Sequence, residues 1–241
     1  MGRTKLQRFR EMKSMPNVFE PDSPYYPQGG SALKMAGKWR PEVFPVVYDI
    51  GLAREQAFPS TAPLVLELGC GRADYVMALA ERFPNQNFVG VDVKGARLWK
   101  GAKEALERAF TNVVFLRMEV EELHTQFEEG EVNEIWITFA DPFPQKSREN
   151  RRLTSPRFLK MYQRILKSGG RIHLKHDNEA FFDYSLEMFR ENGFKIEREI
   201  RDLHGGKVKD SLLTEIQTTY EKRHVAEGRK IYYSEVVSLG V

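Results

Sequence analysis

Four carboxylates of the 241-residue chain lie at or just after short apolar runs that are typical of buried β-strands. They are Glu67, Asp92, Glu119 and Asp141. If these strands are parallel, their carboxyl ends share one edge of a sheet, where ligands bind in open α/β proteins. Carboxylates accept hydroxyl and amino hydrogens and attract cations, so the pattern predicts a site for a polar, positively charged small molecule.

Two glycines follow the first of these carboxylates in the segment Glu67-Leu68-Gly69-Cys70-Gly71. Glycine adopts positive φ without strain and lets a ligand approach the backbone closely. Asp92 comes 21 residues after Gly71, where a carboxylate can accept both hydroxyl hydrogens of a ribose. The pattern indicates a nucleotide-type site, although a Gly-x-Gly pair alone also suits a dinucleotide enzyme.

Asp74 stands where dinucleotide enzymes carry their third glycine. A negative charge at a helix start opposes a pyrophosphate, whereas S-adenosylmethionine has no phosphate and carries a sulfonium cation. The predicted cofactor is therefore S-adenosylmethionine, with S-adenosylhomocysteine as product. The predicted contacts are Glu67, Gly69, Gly71, Asp92, Glu119 and Asp141. For Glu119, contact with the adenine amino group and a simple place at a helix start both stay open.

The segment Asp141-Pro142-Phe143-Pro144 is the most specific local feature. Each proline favours extended backbone in the residue before it, so Asp141 and Phe143 are expected in a stiff loop. A guanine stacked on Phe143 would offer two N–H donors to Asp141. Guanine N7 has a free lone pair, so we expect Asp141 to orient the base and stabilise the positive charge that methylation creates.

Basic side chains cluster within residues 1–13 and 146–152 of a chain whose net charge is only +3. Such clusters favour contact with nucleic-acid phosphates, although solvated surface is an equally valid interpretation. The predicted RNA contacts of the second cluster are Lys146, Arg148, Arg151 and Arg152.

Several classes of protein are excluded by composition. With 29% charged residues and no apolar run of about 18 residues, the sequence predicts a cytoplasmic protein without a membrane span. The single cysteine, Cys70, excludes an intramolecular disulfide and a cysteine-based zinc site. His173 and His176 are expected to project to different sides of a strand end, so no metal is predicted.

Strands alternate with helices from residue 63, which predicts a doubly wound, mostly parallel α/β sheet. Strands are predicted at 64–68, 88–91, 113–116, 134–139, 171–175, 194–200 and 230–237, and helices at 73–83, 95–109, 156–167 and 179–192. Residues 1–62 are interpreted as a partly irregular, basic N-terminal extension with short helical pieces near 42–54. Residues 63–241 are interpreted as a methyltransferase domain.

Five blocks together resemble the tRNA (guanine-N7)-methyltransferases, over about residues 64–237. The blocks are Glu67 to Gly71, the strand that ends at Asp92, Asp141 to Pro144 with Arg151-Arg152-Leu153-Thr154, Lys175-His176-Asp177-Asn178, and Thr218-Thr219-Tyr220-Glu221. The resemblance implies a class I methyltransferase (Rossmann-like) three-layer sandwich with a seven-stranded, mostly parallel sheet and one antiparallel strand. It also implies that the substrate is a guanosine in the variable loop of tRNA, with the protein acting as a monomer or homodimer.

The same resemblance implies roles for residues outside the cofactor loop. Asp141 becomes the catalytic carboxylate, and Asp177, Thr218, Thr219, Tyr220 and Glu221 become substrate contacts. The family's lysine after the second proline is Gln145 here, with Lys146 next along, so both are candidates for substrate contact.

A non-catalytic RNA-binding protein with a degenerate fold is disfavoured by the intact set of Glu67, Asp92 and Asp141. Two further rival functions are considered at this stage. One is methylation of an exocyclic amino group of a nucleobase in another RNA, although those enzymes favour an aromatic residue after the second proline. The other is a nicotinamide-dependent oxidoreductase, which Asp74 disfavours.

Overall fold

The computed structural model describes residues 3–12, 14–20 and 62–240. The chain divides after Glu128 into two compact units, an N-terminal unit and a C-terminal unit. The predicted helical pieces near 42–54 lie outside the described residues.

The N-terminal unit is built from parallel strands in the order β1-β4-β3-β2. Its strands are β1 (Val18–Phe19), β2 (Leu64–Leu68), β3 (Asn87–Val91) and β4 (Val113–Leu116), and its helices are α1 (Lys5–Met12), α2 (Asp74–Arg82) and α3 (Gly95–Glu107), with a 3-10 helix at Val120–Thr125. Every residue of β2, β3 and β4 is buried, as expected for parallel strands that are covered on both faces.

Close packing of α2 against α3 sets the start of α2. Gly101 of α3 lies so near Ala73 that a Cβ on it would come within 2.3 Å of the Ala73 Cβ. Ala73 itself has φ 65°, so the chain turns sharply between the glycine loop and α2. The helix start is thereby fixed directly beside the turn that carries Gly69 and Gly71.

The C-terminal unit has its strands in the order β5-β6-β8-β7. These are β5 (Val132–Thr138), β6 (Leu166–His176), β7 (Phe194–Ile200) and β8 (Tyr232–Ser238), with helices α4 (Pro156–Ile165), α5 (Glu179–Glu191), α6 (Ser211–Glu215) and α7 (Thr219–Ala226) and a 3-10 helix at Lys146–Arg151. Strand β6 is parallel to β5, and β8 is antiparallel to both β6 and β7. The predicted single antiparallel strand is therefore β8.

Each of the seven predicted strands and four predicted helices is present, most of them with ends shifted by one or two residues. The exception is β6, which begins at Leu166, five residues before the predicted strand and within the predicted helix 156–167. The strand count was wrong by one, because the described residues contain eight strands and the additional one is the two-residue β1. Helix α1 was also not predicted, and neither were α6 and α7. The interpretation of residues 1–62 and 63–241 as extension and domain stays a prediction.

Candidate active site

The glycine loop after β2 leaves open space above its backbone. Gly69 and Gly71 have φ values of 69° and 57°, in the left-handed region that favours glycine. A Cβ on Gly69 would meet no protein atom within 4 Å. The N–H groups of Gly69 and Cys70 donate to the Val91 carbonyl at 2.8 and 3.0 Å, which fixes the loop to the end of β3. The loop is thus both anchored and accessible to a ligand.

Asp92 is a buried acceptor that the loop itself holds in place. Its Oδ2 accepts from the Gly71 N–H at 2.8 Å, and its Oδ1 accepts from the Lys94 N–H at 2.6 Å. The residue is 7% exposed. A carboxylate offers about four lone-pair positions, so two bonds to the backbone leave acceptor capacity for ribose hydroxyls.

Glu67 caps α2 from the neighbouring strand. The residue is 1% exposed, and its Oε2 accepts from the Val76 N–H at 2.9 Å. The helix has no side-chain cap from its own N-cap residue, Ala73. The Glu67 carboxylate therefore satisfies an N–H of the first turn that would otherwise lack an acceptor.

The loop carries a negative potential that suits a cation. Burial raises the pKa of the Cys70 thiol well above its ordinary value, and the nearby carboxylates of Asp92 and Glu67 raise it further. Burial disfavours either charge, but the two carboxylates that disfavour a thiolate would favour a cation such as a sulfonium beside the loop. These observations fit S-adenosylmethionine, and Cys70 is a small, buried, free cysteine of the loop.

Glu119 follows β4 and precedes the 3-10 helix at Val120–Thr125. It is half-buried, with extended backbone, and its carbonyl accepts from the Glu122 N–H at 3.1 Å. Glu119 therefore lies at a strand end as predicted, and it also begins a helical turn. Both interpretations of this residue remain compatible with its position.

In the C-terminal unit, Asp141 is exposed on the loop after β5. Residues on either side of it have unusual backbone: φ is 51° at Phe139 and 38° at Phe143. The expectation of extended backbone at Phe143 was therefore wrong. Side chains elsewhere in the unit contact the loop on both sides of Asp141 and hold this conformation.

On the near side of Asp141, His176 holds the carbonyl of Ala140. The His176 Nε2–H donates to that carbonyl at 2.8 Å, while Nδ1 accepts from the Asn178 N–H at 2.8 Å. This pair of bonds requires the neutral ring. Burial lowers the pKa of His176, an effect that His224 adds to and that the Ala140 carbonyl, Asp177 and Asp141 oppose.

On the far side, Arg152 holds the carbonyls of Pro142 and Phe143. Its Nε lies 3.0 Å from the Pro142 oxygen, and its Nη2 lies 3.1 Å from the Phe143 oxygen. The other predicted RNA contacts differ from Arg152, because Arg148 and Arg151 are exposed, as are Gln145 and Lys146. The choice between Gln145 and Lys146 for substrate contact stays open.

Asp177 lies directly after β6, where Arg229 and His224 contact its carboxylate. Its Oδ2 accepts from Arg229 Nη1 at 3.1 Å and lies 3.2 Å from His224 Nδ1. The carboxylate retains 14% exposure. These bonds lie within the protein, so the contact of Asp177 with substrate stays a prediction.

The segment Thr218 to Glu221 is the start of α7. The Thr218 hydroxyl accepts from the Glu221 N–H at 3.0 Å and caps the helix, while Thr219 and Tyr220 are exposed. Glu221 is fully buried and pairs with Lys175 Nζ at 2.7 Å and with His204 Nε2 at 2.9 Å. The block predicted to contact substrate thus also anchors a helix to the end of β6.

Residues 61–234 match a family model whose description is "Putative methyltransferase". A protein of Bacteroides fragilis named tRNA (guanine-N(7)-)-methyltransferase is 41% identical over 97% of this chain and 85% of its own length. A protein of the same name from Cytophaga hutchinsonii is 39% identical over 97% of this chain and 96% of its own length. The chain belongs to the tRNA (guanine-N7)-methyltransferase family. Every block of the predicted resemblance lies within the matched residues.

Solved structures bear out the predicted fold of this family member. A structure described as an antibiotic-related methyltransferase aligns with a TM-score of 0.56 at 18% identity, over 73% of this chain and 87% of that chain. The 16S rRNA methyltransferase KamB aligns with the same score at 16% identity, over 73% of this chain and 87% of its own. The fold is the class I methyltransferase α/β fold.

The sequence analysis did not predict the roles of several residues in this member of the tRNA (guanine-N7)-methyltransferase family. The anchoring roles of His176 and Arg152 were not predicted. His176 had been considered as part of a family block and rejected as a metal ligand, and Arg152 had been considered as part of a family block and as an RNA contact. His224 and Arg229 lacked any sequence signal. Within the described residues, no group of three His, Cys, Asp or Glu side chains could hold a metal ion.

Proposed function

We propose that the protein transfers a methyl group from S-adenosylmethionine to N7 of a guanine in the variable loop of tRNA. One observation carries the proposal: an exposed Asp141 carboxylate on a backbone that is anchored on both sides, in a chain of this family. A fixed carboxylate orients a base without the loss of conformational freedom that a flexible one would incur.

The N-terminal unit supplies the donor site in this proposal. The glycine loop gives close approach at Gly69 and Gly71, Asp92 accepts the ribose hydroxyls, and the field of Glu67 and Asp92 favours the sulfonium. Glu119 accepts from the adenine amino group. When bound, S-adenosylmethionine supplies an electrophilic methyl group on a positively charged sulfur.

The C-terminal unit binds and orients the acceptor. Asp141 accepts the two N–H donors of the guanine edge, and Phe143, which is half-buried, offers its ring for stacking. During transfer the S–CH3 bond breaks, the N7–CH3 bond forms, and the positive charge moves to the base. No proton leaves the guanine, so Asp141 acts by orientation and by stabilising that charge.

The basic residues after Asp141 provide the phosphate contacts. We assign Lys146, Arg148 and Arg151 to the tRNA backbone, because all three are exposed along the 3-10 helix Lys146–Arg151. Gln145, Lys146, Asp177 and Thr218 to Glu221 remain predicted substrate contacts, with the choice between Gln145 and Lys146 still open. A cytoplasmic location and a monomeric or homodimeric state also remain predictions. No helix in the described part of the chain is long and apolar enough to cross a membrane.

Nucleoside analysis of the product tests this function against its main rival. Purified protein is incubated with S-adenosylmethionine and an unmodified tRNA transcript, and the digested RNA is examined by mass spectrometry with nucleoside standards. We expect N7-methylguanosine. A methyl group on an exocyclic amino group would instead support the alternative nucleobase methyltransferase.

Asp141→Asn tests the role of the carboxylate in the same assay. The amide keeps the shape of the side chain but loses the charge and one acceptor, so we expect kcat to fall by about 100-fold or more. Melting temperature and binding of S-adenosylhomocysteine serve as controls for folding. Near-normal turnover with unchanged tRNA affinity would contradict the assignment.

A further inference from the structure

Arg152 differs from its basic neighbours in what its guanidinium contacts. The side chain is 13% exposed, whereas Arg148 and Arg151 of the same run are exposed. Its donors face the protein backbone: Nε lies 3.0 Å from the Pro142 oxygen and 3.3 Å from the Phe143 oxygen, and Nη2 lies 3.1 Å from the Phe143 oxygen. The loop carbonyls therefore engage two of the five guanidinium N–H groups, and the low exposure of the side chain limits the access of a phosphate to the others.

Two further side chains hold the guanidinium from other elements. Its central carbon lies 4.2 Å from the ring centroid of Tyr184, which belongs to α5. The Glu149 carboxylate lies 3.8 Å from Nη1. A planar guanidinium can stack on an aromatic ring while its edge donates to two carbonyls, and a lysine ammonium cannot do both. Arg152 therefore ties the loop after β5 to α5.

The loop requires such an external contact. Phe143 has φ 38°, which residues with a side chain rarely adopt, and it directly precedes Pro144, which favours extended backbone instead. Local preference therefore opposes the observed conformation. The bonds that Arg152 donates to the carbonyls of Pro142 and Phe143, before and after the Phe143 nitrogen, stabilise this conformation.

We propose that Arg152 is a positioning residue for Asp141: it fixes the Pro142–Phe143 backbone and thereby the direction of the carboxylate that orients the guanine. The inference rests on the proposed function. It replaces the prediction from sequence that Arg152 contacts RNA, and it separates Arg152 from Arg148 and Arg151 by role.

Arg152→Lys tests the proposal because it retains the charge and removes the fork of donors. We expect kcat for tRNA methylation to fall by about 10- to 100-fold, the loss that a displacement of about 1 Å can cause. The Kd for tRNA and its dependence on salt should stay unchanged. In Arg152→Ala, added ethylguanidinium should restore part of the lost kcat.

Two other variants provide the comparison. Arg157→Lys is the matched control, because the Arg157 guanidinium also donates to a backbone carbonyl, that of Asn150, at 2.6 Å and also stacks on a ring, that of Phe158. It should retain wild-type kcat. Arg148→Gln should raise the Kd for tRNA and reduce the slope of log Kd against log salt by about one.

The backbone NMR chemical shifts of the Asp141, Phe143 and Gln145 amides give a readout that does not depend on methylation. They should change in Arg152→Lys and, as a second variant, in Tyr184→Leu, because the conformation of the loop changes. If Arg152→Lys weakens tRNA binding and lowers the salt slope with kcat intact, or changes nothing, the proposal is overturned. If the wild-type protein methylates no tRNA but the amide shifts of the loop still change in the variants, the proposed function fails while the anchoring of the loop stands.

Discussion

At the residue scale, the proposed donor site depends on the open space beside Gly69, which the methyl group of an alanine at this position would partly fill. Gly69 combines a left-handed φ of 69° with the absence of protein atoms within 4 Å of an added Cβ. Gly228, just after α7, has φ 74° and equally open surroundings. The two glycines share the same backbone demand, but only Gly69 lies in the proposed donor site.

Gly69→Ala and Gly228→Ala therefore separate strain from ligand binding. Each should lower the free energy of unfolding by about 1–2 kcal/mol, because each places a side chain in the left-handed region. Only Gly69→Ala should weaken S-adenosylhomocysteine binding, by about 10-fold or more. Urea denaturation and calorimetric titration measure the two effects. Equal ligand affinity in both variants would contradict the placement of the donor at this loop.

The neutral state of His176 predicts a dependence of stability on pH. Burial lowers its pKa, so the unfolded chain binds a proton at a higher pH than the folded protein does. The contribution of neutral His176 to the free energy of unfolding is fully present above the ordinary histidine pKa of about 6.5. It is lost as the pH falls from that value toward the lower pKa of the folded protein. Asp177, Asp141 and His224 face the ring and modulate that value.

Unfolding free energies measured across this range for wild type and His176→Gln test the sign. The wild type should lose more stability than the variant as pH falls, because the carboxylates that both proteins share cancel in the difference. Parallel curves would show that His176 does not titrate in this way.

Whether the contact of a single residue could be predicted depended on how far apart in the sequence the two partners lie. Gly71 and Asp92 belong to one βαβ unit and are 21 residues apart, so a known sequence motif predicts that they lie close together. Asp177 pairs with Arg229, 52 residues away, and no spacing rule predicts that contact. The φ of Phe143 opposes the rule for residues before proline, because bonds from Arg152 override it.

At the element scale, a buried ion pair joins β6 to the start of α7. Lys175 and Glu221 are both fully buried, and Lys175 Nζ also donates to the carbonyls of Leu213 and Ile216 at 2.9 and 3.2 Å. Burial lowers the pKa of Lys175, and the Glu221 carboxylate opposes that change. The pair holds α6 and α7 to the end of the strand that leads to Asp177.

Breaking this pair should be more costly than replacing it. Lys175→Met and Glu221→Leu should each lower the free energy of unfolding by about 3–5 kcal/mol, because each leaves a buried group without its partner. The double variant Lys175→Met/Glu221→Leu should lose much less than the sum. Urea denaturation of all four proteins gives the coupling energy. Additive losses would contradict a direct pairing of the two side chains.

Elements were predictable where their apolar pattern was long enough. Strands β2, β4 and β7 were predicted at the residues where they occur, because each is bounded by turn residues or by a change of period. Strand β1 has two residues and α6 has five, which is too short for any period to show. Helix α7 begins at a Thr218 cap, a signal that was read only as a family motif.

At the scale of the whole molecule, each of the two compact units carries a different part of the proposed chemistry. The N-terminal unit provides the anchored glycine loop and Asp92, and the C-terminal unit provides Asp141 with its basic neighbours. Membership of the tRNA (guanine-N7)-methyltransferase family accounts for both. The net charge of +3 shows none of this, because binding depends on where the charges lie.

Methylation of a tRNA transcript that contains 7-deazaguanosine tests the central claim most directly. This base keeps the edge that Asp141 is proposed to bind but has carbon in place of N7. The account predicts methyl transfer to the guanosine transcript, no transfer to the 7-deazaguanosine transcript, and competitive inhibition by the latter. Equal methyl incorporation into both transcripts would contradict transfer to N7.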